Sequence, residues 1–69
     1  MEAFMTCPVI VIKEEEWFVA RDITTDVASQ GKSIDEALSN LKEALELYYE
    51  DAPVMEPRTF YTTTLEVGV

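Results

Sequence analysis

Val27-Ala28-Ser29-Gln30-Gly31-Lys32-Ser33-Ile34-Asp35-Glu36-Ala37-Leu38 is the most informative stretch of the chain. A short apolar run passes through a glycine turn directly into an amphipathic segment, which reads as strand, turn and helix. Ser33 is a helix N-cap, because its hydroxyl accepts from the unpaired N–H groups of the first turn. Glu36, three residues on, reaches back to the cap's own N–H and completes a capping box. Gly31 suits a backbone position where a side chain would clash. Gly31, Ser33 and Glu36 are therefore read as structural residues.

The helix covers 34–50. Ile34, Ala37, Leu38, Leu41, Ala44, Leu45 and Tyr48 recur at helical spacing as one apolar stripe, and Pro53 stops the helix. Before the junction, residues 4–13 read as a strand. Its Val9-Ile10-Val11-Ile12 run is β-branched on both faces and suits a central position, while Pro8 is tolerated only near the strand's start. Glu14-Glu15-Glu16 lacks the Gly or Asn of a tight hairpin, so a looser loop is expected. A second strand spans 16–23, with Trp17, Val19, Arg21 and Ile23 on one face and Phe18, Ala20 and Asp22 on the other. Thr24-Thr25-Asp26 turns the chain into a third strand at 27–30. After the helix, a connector with Pro53 and Pro57 leads to a last strand, 59–67, with Tyr61, Leu65 and Val67 opposite Phe60, Thr62, Thr64 and Glu66.

These elements predict one domain, residues 1–69, of α+β class. It is a two-layer βββαβ sandwich with a four-stranded sheet and one helix on one face. A right-handed crossover places the fourth strand beside the first, in the order 3-2-1-4. One helix covers only one sheet face, so the other is exposed or covered by another chain.

Asp26-Val27-Ala28-Ser29-Gln30-Gly31, Ser33, Glu36-Ala37-Leu38, Asn40-Leu41 and Glu43-Ala44-Leu45-Glu46-Leu47-Tyr48 together resemble the HicB-like antitoxin family of type II toxin–antitoxin systems. Val9-Ile10-Val11-Ile12, Phe18-Val19-Ala20, Thr62-Thr63 and Glu66-Val67 extend the resemblance over nearly the whole chain. It is to the short form, without the C-terminal DNA-binding domain that longer members carry. The resemblance implies a partial ribonuclease-H-like fold and a partner, a small basic HicA-type toxin that cleaves mRNA. Masking of that toxin would be steric and electrostatic. Arg21-Asp22-Ile23-Thr24-Thr25 departs from the family, in which many members carry a Pro-rich, often Cys-containing segment there.

Composition leaves two readings open, a binding protein or an acidic chain whose charge only keeps it dissolved. Fourteen acidic residues against five basic ones give a net charge of −9, a surface that repels phosphate backbones and disfavours direct nucleic-acid binding. It attracts a basic protein and speeds the encounter. Residues 33–51 hold six acids (Asp35, Glu36, Glu43, Glu46, Glu50 and Asp51) against Lys42 alone. Glu46, Glu50 and Asp51 at the helix end oppose its dipole, so docking of a basic partner competes with a merely solvated face as their explanation. Tyr49, which lies off the apolar stripe, and Trp17, which reads as either core or interface, are candidate anchors, since such residues dominate interaction hot spots. Tyr48 belongs to the apolar stripe and reads as core. The partner-binding candidates are thus Trp17, Glu43, Glu46, Tyr49, Glu50 and Asp51.

No catalytic residue, metal site or cofactor is expected. Histidine is absent, which removes the usual general base and any histidine-assisted nucleophile. Asp22, Asp26 and Glu36 match no metal-ligand spacing, and solvated turn acids and a helix cap account for them. A degenerate nuclease is therefore the remote alternative to an antitoxin, behind a stand-alone oligomeric interaction module. Cys7 is the sole cysteine, so there is no disulfide. It reads as a small buried hydrophobe in a reducing cytoplasm. Neither a membrane span nor a secretory signal is recognisable. A chain this short makes a marginal core by itself, and a homo-oligomer, most simply a dimer, is expected.

Overall fold

The computed structural model describes residues 5–51, 53 and 59–69. Phe4, at the start of the expected first strand, and most of the Pro53–Pro57 connector lie outside the described residues. Strand β1 spans Val9–Glu14, β2 Trp17–Asp22 and β3 Ala28–Gly31, followed by helix α1, Ile34–Asp51. All three strands pair antiparallel in the order β1-β2-β3. The fold is a small α+β domain in which one helix covers one face of a three-stranded sheet.

This corrects the four-stranded βββαβ expectation. Residues 59–69 form no strand and are exposed throughout, with Tyr61 at 91% and Leu65 at 84%. The alternation in Tyr61, Leu65 and Val67 makes the segment compatible with a strand, but a strand exists only where its N–H and C=O groups meet another strand's edge. The order 3-2-1-4 falls with it. β1 is an edge strand rather than a central one, and Ile10 and Ile12 are half exposed despite their apolar run.

The β1–β2 connection is also tighter than expected. Glu14 pairs with Trp17, leaving Glu15 and Glu16 as a two-residue loop. Glu15 has a φ of 41°, so it takes the left-handed conformation usually left to Gly or Asn.

The core forms between the inner sheet face and α1. Ala20, Ala37, Leu41 and Leu45 are buried, and Cys7, Val9, Val11, Phe18, Val27 and Tyr49 pack against them. The register places Val9 opposite Asp22, Val11 opposite Ala20 and Phe18 opposite Gly31, so these residues share the helix-facing side. The inward row of α1 is Ala37, Leu41, Leu45 and Tyr49, one residue per turn. Ile34, Leu38 and Tyr48, expected in the core, flank that row and are exposed. Tyr48 and Tyr49 thus exchange their expected places. Their rings meet edge to face at 5.0 Å.

The junction residues behave as caps and spacers. The Glu36 N–H donates to Ser33 Oγ at 3.1 Å, the expected N-cap bond. The Glu36 carboxylate reaches back one residue further than the cap, accepting from the Lys32 N–H at 3.0 Å. Gly31 is buried against the first turn of α1 with no positive φ. Asn40 ties the helix to the sheet by donating its amide to the Gln30 carbonyl at 2.8 Å.

Candidate protein-interaction surface

Glu43, Glu46 and Glu50 stand at i, i+3 and i+7 on α1, which puts them on one side of the helix. All three are exposed, as is Asp51. No basic residue occupies the last turn. Among the described residues the one ion pair is Arg21–Asp26, 3.2 Å long and exposed, so the helical acids form an uncompensated stripe. A stripe of this kind creates a local negative field that a cationic surface would neutralise.

The other two candidates do not join that stripe. Tyr49 turns inward, packing on the core, and its hydroxyl is buried. Trp17 lies at the start of β2, on the sheet face away from α1, and is 42% exposed with Lys32 Nζ 5.9 Å from its ring centroid. That distance is within the reach of a cation–π contact. The structure therefore brings Glu43, Glu46 and Glu50 together with Asp51 nearby. It assigns Tyr49 to the core and Trp17 to a separate surface.

A second polar group sits at the far end of β2, around Asp22. The expectation of a solvated turn acid is corrected here, because Asp22 is fully buried. Its Oδ2 accepts from the Thr25 hydroxyl at 2.6 Å and from the Thr25 N–H at 3.0 Å. Thr25 Oγ1 in turn accepts from the Val27 N–H at 3.2 Å. Backbone bonds close the turn, with Asp22 N–H donating to the Val27 carbonyl and Asp26 N–H to the Asp22 carbonyl. Asp26 completes it with a φ of 67°, a conformation Asp tolerates. The Arg21–Thr25 segment is thus a turn organised by one buried carboxylate. The Asp22-x-x-Thr25 spacing, combined with alternation that puts Asp22 on the Phe18 and Ala20 face, was the sequence signal for it.

Asp22 Oδ1, Thr24 Oγ1 and Tyr49 OH are buried without a hydrogen-bond partner. Burial first, and the Asp22 charge second, push the Cys7 thiol above its ordinary value of 9.0. Burial again comes first for Tyr49, followed by the charges of Asp22, Cys7 and Tyr48, and raises its phenol above 10.0. Both groups stay protonated at neutral pH, so Cys7 is not an activated nucleophile. Among the described residues no three His, Cys, Asp or Glu side chains are placed to hold a metal ion. Asp22, Asp26 and Glu36 serve a turn, an ion pair and a helix cap.

The family comparison covers most of this architecture. A family model matches residues 7–66, from the strand entering the sheet to the end of the 59–66 segment. The chain belongs to the family of unknown function DUF7387. That description assigns no activity, ligand or partner. Neither the curated proteins nor the solved structures yield a match. No helix among the described residues is long and apolar enough to cross a membrane.

Proposed function

We propose that this protein is an antitoxin of HicB-like type that acts in the cytoplasm by binding, not by catalysis. Its partner is a small basic HicA-type ribonuclease, whose RNA-binding surface it covers. The observation that carries this reading is the exposed, unpaired acidic stripe of Glu43, Glu46 and Glu50 on α1, with Asp51 beside it. Acids in that position work against the helix dipole and add nothing to the core. A cationic partner gives them a role, and the same charge speeds its capture. The resemblance in residues 26–48 names the class of partner, and the net charge of −9 suits one that competes with RNA for a basic surface.

The second reading is an oligomeric interaction module with no toxin partner. It is favoured by the largely apolar sheet face away from α1, which no helix or strand among the described residues covers.

The test pairs the purified protein with the short basic protein encoded by the neighbouring gene. Expected are a stable complex and loss of the partner's RNA cleavage in the presence of excess acidic protein. Replacing Glu43, Glu46, Glu50 and Asp51 by Gln and Asn should slow association and flatten its dependence on salt. A neighbour that is not basic, or a nuclease unaffected by excess protein, overturns the antitoxin reading in favour of the module.

A further inference from the structure

The sheet face away from α1 has a composition unlike the rest of the molecule. The register pairs Ile10 with Arg21, Ile12 with Val19 and Glu14 with Trp17, and directly opposed residues share one side of a sheet. This face therefore carries Ile12 and Val19 at its centre, Ile10 and Arg21 at one end, and Glu14 and Trp17 at the other. Ile10 and Ile12 are 43% and 50% exposed. Apart from one acid and one base, the face is uncharged along these pairs, in a chain with net charge −9.

We propose that this face binds the same face of a second copy across a two-fold axis lying between the two sheets and perpendicular to the strands. Such an axis reverses the strand direction, so Ile12 and Val19 meet their own counterparts. The partner's Arg21 then lies over Trp17 and beside Glu14, and the relation repeats at the other end. An isologous contact needs a self-complementary patch, and a strip with opposite charges at its ends and apolar residues between them is one. Arginine over an indole face beside a carboxylate combines stacking with charge pairing. The contact exchanges two exposed surface pairs, Lys32 over the Trp17 ring at 5.9 Å and Arg21 with Asp26 at 3.2 Å.

The self-complementary pattern selects a second copy, and the charge distribution permits it. Two molecules of this net charge repel each other, and most strongly through their helices. Stacked sheets pack roughly 10 Å apart, and each sheet separates the contact from its own helix layer. The acidic stripes thus end on opposite outer sides, several Debye lengths apart at roughly 8 Å each. Both helices remain open to other partners, so the dimer does not rest on the antitoxin reading.

The size of the face sets the strength. The six residues lie on two strands of six residues each, a footprint of roughly 20 by 10 Å per copy. That is below the roughly 800 Å² per partner of a standard stable interface, so the dimer is a reversible, concentration-dependent one.

Sedimentation equilibrium from about 10 µM to about 1 mM tests it. The average mass should rise from the 7.8 kDa of one chain towards twice that value. Ile12→Lys should hold the protein monomeric over the same range with its circular dichroism unchanged. Glu14→Arg and Arg21→Glu should each weaken association at least several-fold, and the double swap should regain the charge-pairing part of the loss but not the stacking on Trp17. A protein that stays monomeric at 1 mM overturns the proposal. So does a dimer insensitive to Ile12→Lys, which would place the contact on another surface such as residues 59–69. A double swap that associates no better than either single variant overturns it as well.

Discussion

Gly31 lies directly against the first turn of α1. A Cβ added to it would stand 2.5 Å from the Ala37 amide nitrogen and 2.8 Å from the Glu36 carbonyl carbon. The neighbours are backbone atoms held by the capping bonds of Ser33 and Glu36, so they cannot move aside cheaply. Glycine is required here by close approach and not by a left-handed backbone.

Gly31→Ala is accordingly expected to destabilise the fold by about 1–3 kcal/mol, the usual cost of overpacking. Urea unfolding measures it. An unchanged midpoint would mean that the start of α1 stands further from β3 than the structure has it.

Ser33→Ala removes the acceptor for the Glu36 N–H and should cost about 0.5–2 kcal/mol. The Lys32–Glu36 bond survives this substitution, so combining it with Glu36→Ala should cost more than either alone. A urea midpoint that Ser33→Ala leaves in place would show that the hydroxyl does not cap the helix.

Glu15 pays for the tight hairpin with a φ of 41°. A left-handed conformation costs a non-glycine residue about 1–2 kcal/mol, and glycine gives back about 0.5–1 kcal/mol through its freer unfolded chain. Glu15→Gly should therefore stabilise the protein by up to about 1 kcal/mol. Glu15→Gln, which relieves only the repulsion among Glu14, Glu15 and Glu16, serves as the control and should gain less. Equal thermal shifts for the two variants would assign the effect to charge alone.

The raised Cys7 and Tyr49 groups predict a loss of stability in alkali. The folded chain holds these protons to higher pH than the unfolded chain does. Below the ordinary thiol value of 9.0 both states are protonated and the contribution is intact. As pH climbs above it, the unfolded chain releases its protons first, and the equilibrium shifts towards unfolding. Urea midpoints should hold up to about pH 8 and fall above about pH 9. Cys7→Ala should flatten the earlier part of that fall and Tyr49→Phe the part above the ordinary phenol value of 10.0. Variants whose alkaline slopes match the parent's would show that neither proton is held by the fold.

Local elements and charge are written in the residues alone. Ser33, Glu36 and the apolar spacing after them specify a capped helix, and alternation through Trp17–Asp22 specifies a strand whose Phe18, Ala20 and Asp22 face one way. These signals are legible because each depends on residues within a turn or two of one another. The acidic stripe was legible for the same reason, since helical spacing alone places Glu43, Glu46 and Glu50 together. Tertiary packing settles what those elements meet. It selected Ala37, Leu41, Leu45 and Tyr49 as the inward row over the neighbouring row through Ile34, Leu38 and Tyr48, because the angle at which α1 lies on the sheet chooses between two apolar rows a fraction of a turn apart. It buried Asp22 and left Trp17 on the opposite face from the helix. It also left residues 59–69 without a strand, since alternation makes a segment fit for pairing while only a neighbouring edge can satisfy its backbone.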